Sequence, residues 1–257
     1  MIYLLSDEGR QALRMVASRP VLYAFDFDGT LAKISRDRDG VKLSSSTHEW
    51  LRELAVRAPC TIVSGRALSD LTTRVNGAVP YLIGNHGVEG LLTPASVLQM
   101  AERTCLEWMT QIDRDLAGLF KDTGVEVENK RYTLTFHYRS AEDLAAVERT
   151  LVLLLNRLTP APRLIAGKAS VNALPPGNIG KGSAALALMV HLRCRGLFFV
   201  GDDETDEDVF GLEEGLIMGV RIGHRAESRA QYYLKHQSEI EEVIRFLVRR
   251  IDRTPES

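Results

Sequence analysis

"YAFDFDGTLAK", residues 23–33, ends an apolar run in two aspartates one residue apart, Asp26 and Asp28, with Gly29 and Thr30 directly after. A short apolar run bounded by a polar turn reads as a strand buried on both faces, as in a parallel sheet covered by helices. Like charges at the tip of such a strand repel each other, so their placement calls for a cation or a reaction. The same design recurs in "CTIVSGR" (60–66), "PYLIGNHG" (80–87), "GLFFVGDDETDED" (196–208) and "LIMGVRIG" (216–223). Between these runs lie helical patterns such as "SDEGRQALRMVAS" (6–18), which Ser6 caps, and "SSSTHEWLRELAVRA" (44–58). Alternating strands and helices predict an α/β fold with a Rossmann-like parallel sheet, and ligands in such sheets bind at the carboxyl ends of the strands.

The middle of the chain has a different rhythm. Residues 93–118 read as one long amphipathic helix. "VEVENKRYTLTFHYR" (125–139) alternates with period two, with Tyr132, Leu134, Phe136 and Tyr138 on one face. "SAEDLAAVERTLVLLLNRL" (140–158) is helical behind a Ser140…Asp143 capping pattern, and "RLIAGKASVNALP" (163–175) alternates again. Helix, strands, helix, strands predict a separate α+β insertion over 93–176. The flanking segments 1–92 and 177–257 then form the core domain, with "LPPGN" (174–178) as the return turn.

Composition narrows the function. Of 257 residues, 45% are hydrophobic and 26% charged, and the formal charge is −2. No basic field marks nucleic acid or anionic lipid as a partner. Cys60, Cys105 and Cys194 are scattered, as expected for reduced thiols and not for a zinc site or disulfide framework. No apolar run is long enough to span a bilayer, and "MIYLLSDEGR" lacks a basic leader, so the expectation is a cytoplasmic protein without a membrane partner.

The polar turns carry the chemistry. Residues 202–208 place six acids in seven positions, Asp202, Asp203, Glu204, Asp206, Glu207 and Asp208. That density of like charge suits a resident cation, and oxygen-only ligands favour Mg²⁺. Part of the run also reads as an acidic first helical turn, which suits Glu207 and Asp208. Ser64 sits at a strand end beside Gly65, where a hydroxyl and a close backbone can meet an oxyanion. In "GNIGKGSAALALM" (177–189), Lys181 begins a helix, where an ammonium and the helix dipole both attract phosphate. An ionised aspartate can attack a phosphate monoester once cations neutralise the charge, and its neighbour two residues on can move the proton. Such hydrolysis is among the slowest uncatalysed reactions, with accelerations of up to about 10²¹-fold.

"DFDGTL", "VSGR", "GKG" and "GDDETDE" resemble, in order, the four motifs of the haloacid dehalogenase superfamily. The resemblance implies Asp26 as nucleophile, Asp28 as general acid/base, and Ser64 and Lys181 on the phosphoryl oxygens. It also implies Mg²⁺ held by Asp26, the backbone carbonyl of Asp28 and Asp202, with Asp203 and Asp206 supporting. More narrowly, "GNHGVE", "ENKRYTLTFHYR", Gly167-Lys168, "GNIGKG" and "GDDETDEDVF" resemble the trehalose-6-phosphate phosphatase family along nearly the whole chain. This implies a C2-type cap domain that closes over a disaccharide, with substrate contacts from Gly65, Arg66, His86, Glu89, Glu128, Lys130, His137, Arg139, Lys168 and Asn172. A monomer or homodimer acting on a small sugar phosphate is implied.

One departure bears on the substrate. After Gly-Lys the family carries a glutamate and, two positions on, an arginine; here these are Asn172 and Leu174. Charge-assisted hydrogen bonds are worth roughly 1.5–3 kcal/mol each, so a different glycosyl phosphate, of the glucosylglycerate, sucrose or mannosylglycerate type, stays open as an alternative.

Overall fold

The computed structural model describes residues 1–35, 40–115, 124–213 and 215–251. Two compact units emerge, Met1–Leu92 with Gly180–Ser257, and Thr93–Ile179.

The first unit is built on seven strands among the described residues. In chain order they are β1 (Ile2–Tyr3), β2 (Val21–Phe25), β3 (Cys60–Val63), β4 (Tyr81–Ile83) and, beyond the four strands of the second unit, β9 (Gly196–Gly201), β10 (Ile217–Ile222) and β11 (Tyr232–Leu234). Their spatial order is β1-β11-β10-β9-β2-β3-β4, and every neighbouring pair is parallel. All residues of β2 and β9 are buried, as expected of strands with helices on both faces. Tyr23 and Phe25 point into one core with Leu13, Leu51, Leu54, Val243, Ile244 and Leu247. These come from helices α1 (Asp7–Ala17), α2 (Ser45–Ala55) and the last helix, Ile240–Arg250. Leu22 and Ala24 point the other way, into a core with Leu188, Met189, Phe199 and Phe210.

Ser6 caps α1 by accepting from Gly9 N, and Ser44 caps α2 by accepting from Thr47 N. Each satisfies a backbone donor that the first helical turn leaves open. The register then sets the site. Phe25 lies opposite Ile62 of β3 and opposite Val200 of β9. The residues that follow these three, including Asp26, Ser64 and Asp202, therefore leave the sheet at one end. From β2 the chain moves to β3 on one side while β9 and β10 lie on the other, and in open parallel sheets ligands bind at the carboxyl ends of the strands beside such a reversal.

The second unit comprises α4 (Ala95–Asp115), β5 (Glu126–Asn129), β6 (Leu134–His137), α5 (Leu144–Leu155), β7 (Arg163–Gly167) and β8 (Ser170–Leu174). Its antiparallel sheet runs β5-β6-β8-β7. Leu134, Phe136, Tyr138, Val171 and Ala173 form a core with Trp108, Ile112, Leu151 and Leu155 of the two helices. The helix expected over 93–118 runs over Ala95–Asp115, and residues 116–118 lie outside the described residues.

Two local expectations are refined. The alternating run 125–139 is a hairpin, turned by the Lys130 N–H to Thr133 carbonyl bond with Arg131 at φ 74°. Its period-two face survives because Leu134, Phe136 and Tyr138 all reach the core. Asp143, not Ser140, caps α5 by accepting from Ala146 N at 2.9 Å. The Ala141 N–H to Tyr138 carbonyl bond closes a turn around Ser140 first, so the helix begins later.

Candidate active site

Lys181 opens the helix α6 (Lys181–His191), and its buried ammonium donates to Asp26 Oδ1 at 2.7 Å and to Asp206 Oδ1 at 2.8 Å. It thus ties the tip of β2 to the turn after β9. Asp26, Asp202 and Asp206 are all buried, and each presents a carboxylate oxygen within 4.8 Å of the others. The carboxylates at positions 26 and 202, which the sequence separates by most of the chain, converge.

The six acids of 202–208 do not act as one cluster. Asp206 Oδ2 accepts from the backbone N–H groups of Asp202 and Asp203, both at 2.9 Å. Asp203 accepts from Glu204 N at 2.8 Å. Glu204 pairs with Arg225, Glu207 with Arg221, and Asp208 accepts from Gly182 N in the first turn of α6. Only Asp202 and Asp206 turn toward Asp26, and the others brace the turn. Of the two residues expected to support the metal, Asp203 caps the turn and Asp206 lies with Asp26 and Asp202.

Gly29, at φ 89°, lets the loop after β2 pass directly against Asp202: a Cβ there would overlap the Asp202 carboxylate. Both features exclude a side chain. Gly29→Ala should therefore displace Asp202 and weaken divalent-ion binding at least about tenfold, or 1.4 kcal/mol, by isothermal titration on protein with native circular dichroism. An unchanged affinity would show that Asp202 is not held by this loop.

Asp28 takes a different partner. Both its oxygens accept from Arg66, through Nε and Nη2 at 2.7 Å each. The remaining Arg66 nitrogen, Nη1, donates to Asp70 at 2.8 Å, and Arg74 in turn grips Asp70 and the Val41 carbonyl. The Arg66 guanidinium also lies 5.7 Å from the Phe27 ring centroid. Arg66, expected from the resemblance to touch substrate, is here the fork that holds Asp28. Its partner Asp70 was not legible from sequence, being one more acid on the helix α3 (Leu68–Val75).

Ser64 is buried at the end of β3 and accepts from Arg66 N at 3.2 Å. The His86 ring covers Gly65 so closely that a Cβ at 65 would overlap it. His86 itself is buried with φ 55°, sparsely populated for a residue with a side chain. Glu89 accepts from Leu68 N at 2.8 Å and from Asn85 Nδ2 at 2.6 Å. It therefore supplies the cap that Ala67 cannot give α3, and braces the loop that carries His86.

In the second unit, His137 Nε2 lies 2.7 Å from Glu128 Oε2, and Lys130 Nζ is 3.9 Å from the same oxygen. These three form a polar group on β5, β6 and their turn. Arg139 and Lys168 are exposed. Asn172 is buried, its Oδ1 accepting from Thr135 Oγ1 at 2.8 Å and its Nδ2 donating to the Ile165 carbonyl at 3.3 Å. Its amide thus links three strands.

The electrostatics of the first unit favour a cation. Burial raises the Asp26 carboxyl well above its usual 3.8; Asp206 and Asp202 push the same way, while Lys181 opposes. Burial pulls the Lys181 ammonium down, but Asp206 and Asp26 outweigh it and its pKa rises overall. The Asp26 rise comes first from burial and the Lys181 rise from Asp206 and Asp26, and Asp202 adds a third buried carboxylate to the two that share the ammonium. An all-oxygen donor set with this charge imbalance fits a hard divalent ion.

Comparison with known proteins agrees with this geometry. The family model for trehalose-phosphatase matches residues 24–237, from the end of β2 past the acidic turn. The chain belongs to the trehalose-phosphatase family. Within this family it is 33% identical over 216 residues to the trehalose-phosphate phosphatase of Mycobacterium tuberculosis, covering 76% of this chain and 52% of that protein. It is 31% identical over 218 residues to the one of Mycolicibacterium paratuberculosis, covering 80% and 55%. The chain thus spans about half the length of these curated relatives. The C-terminal domain of the Candida albicans trehalose-6-phosphate phosphatase superposes with a TM-score of 0.79 at 22% identity, over 93% of this chain and 96% of that one. The Synechocystis sucrose-phosphatase, solved with sucrose and phosphate, gives 0.59 at 19% identity, over 89% and 98%. These two share the fold of the trehalose-phosphatase family member described here, a seven-stranded parallel sheet with a separate four-stranded antiparallel sheet.

Proposed function

We propose that the protein is a Mg²⁺-dependent phosphatase that hydrolyses trehalose 6-phosphate to trehalose and phosphate. The observation that carries this reading is the convergence of Asp26, Asp202 and Asp206 with Lys181 at the carboxyl end of a parallel sheet. Asp26 attacks phosphorus, and the sugar oxygen leaves with a proton from Asp28, giving an aspartyl-phosphate. Asp28 then takes a proton from the water that attacks this intermediate, releasing phosphate and restoring Asp26. Each Asp28 oxygen accepts once from Arg66, which fixes the carboxyl group and leaves a second lone pair on each oxygen for the proton. Lys181, and Ser64 at the end of the adjacent strand, hold the phosphoryl oxygens. A divalent ion held by Asp26, Asp202 and Asp206 supplies the charge neutralisation that an anionic nucleophile needs at an anionic ester. Sugar recognition is assigned to the second unit, residues 93–179, with Glu128, Lys130 and His137 as its polar group.

A second substrate reading has a specific support. Asn172 and Leu174 stand where the family carries a glutamate and an arginine, and the Asn172 amide is engaged by Thr135 and Ile165. A different glycosyl phosphate, of the glucosylglycerate, sucrose or mannosylglycerate type, is the alternative substrate. Phosphate release over a panel of sugar phosphates separates the two. Trehalose 6-phosphate should have the highest kcat/KM, and chelator should abolish its hydrolysis. Hydrolysis of another ester ten times faster would replace the substrate, and turnover undiminished by chelator would sink the mechanism.

A further inference from the structure

We infer that Arg221 is a positioning residue that aims Asp202 at the cation site. The inference rests on the reading of Asp26, Asp202 and Asp206 as the ligands of a divalent ion. Arg221 lies on β10 opposite Gly201 of β9, so its side chain runs beneath the acidic turn, where it is only 6% exposed. Its Nη2 donates to the Asp202 carbonyl at 2.9 Å, and Nη1 donates to the Asp203 carbonyl at 3.2 Å and to Glu207 Oε1 at 2.9 Å. Glu207 is itself anchored, accepting from Arg229 N at its other oxygen and from Arg229 Nη2 at its carbonyl.

The geometry of one peptide gives these bonds their meaning. The Asp202 carbonyl and the Asp203 N–H belong to the same planar unit and point in opposite directions. Arg221 takes the carbonyl, and Asp206 Oδ2 takes the N–H at 2.9 Å. Gripped on both edges, the plane cannot rotate, and the direction in which Asp202 leaves its Cα is set. A buried carbonyl also needs a donor, and the planar guanidinium reaches two carbonyls and a carboxylate at once, as a lysine ammonium at the same depth does not.

Arg221 carries two opposing influences on a bound cation. Its charge repels the ion, while its fork orients the ligand. Positioning and pure electrostatics therefore predict different results for two variants, read by Mn²⁺ binding with electron paramagnetic resonance on the full chain. If Arg221 positions Asp202, the dissociation constant for Mn²⁺ rises at least about tenfold in both Arg221→Met and Arg221→Lys. The KM for the sugar phosphate at saturating metal stays within about threefold of the parent. If Arg221 acts by charge alone, Arg221→Met binds Mn²⁺ more tightly and Arg221→Lys binds as the parent does; either result overturns the inference. Arg221→Lys keeps the buried charge and decides the question should Arg221→Met not fold. A parent protein that binds no Mn²⁺ would sink the cation site, and the role of Arg221 with it; parent binding with unaltered variants would sink the role of Arg221 alone.

Discussion

Asp26→Asn is expected to lower phosphate release by at least about 10⁴-fold, the scale on which removal of a covalent nucleophile acts, without loosening the fold. The amide keeps an oxygen that can accept from Lys181. It also removes one charge from three clustered buried carboxylates, two of which share a single ammonium. Because burial, with Asp206 and Asp202 behind it, raises the Asp26 pKa above 3.8, the folded state binds its proton more tightly than the unfolded chain. A raised carboxyl costs nothing while both states are protonated, and costs stability as pH rises through the folded value. In chelator, the variant should therefore melt at the same temperature as the parent or higher at pH 7. The gap should close as pH falls toward 4. Thermal melts across that range read this directly; a variant that is inactive because it melts far below the parent would remove the support for Asp26 as nucleophile.

Lys181→Met should lose activity to a comparable degree, but with the opposite effect on stability. It strips the ammonium from two carboxylates that are almost wholly buried. Removing one partner of such a group costs roughly 3–5 kcal/mol, which for a chain of this size lowers the melting temperature on the order of 10 °C. Millimolar Mg²⁺ should restore part of the loss, since an ion that binds only the folded state stabilises it by mass action. Differential scanning calorimetry with and without Mg²⁺ is the measurement. A melting temperature within about 2 °C of the parent, without metal, would mean that the carboxylates are not balanced by Lys181. Together the two variants separate chemistry from folding: both silence the site, and they move its stability in different directions.

Much of the site was legible in the chain because it sits where strands end. Period and composition place Asp26, Ser64, Lys181 and Asp202 at strand tips and a helix start, since an apolar run must stop where it leaves the core. What the spacing left undivided was the acidic run. Six acids in seven positions look alike on paper, yet Asp203, Glu204, Glu207 and Asp208 each have a local partner, and of the six Asp202 and Asp206 join Asp26. The bonds from Arg66 to Asp28 and Asp70 left no trace in the spacing either, since they join a strand tip to a helix. Ser140 read as a cap because a turn closing ahead of the helix leaves no periodic trace.

By itself the sequence determined the alternation of strands and helices, an α+β segment between the two halves of the parallel pattern and the residue types at each strand tip. Local periodicity, turn chemistry and the burial of apolar faces decide these within a few residues. Tertiary structure alone decided partnership. The register of β2 against β9 brings Asp26 to Asp202, and that of β10 against β9 carries Arg221 beneath the acidic turn. A charge's effect depends on distance and burial, and neither is a property of the chain until distant strands have paired.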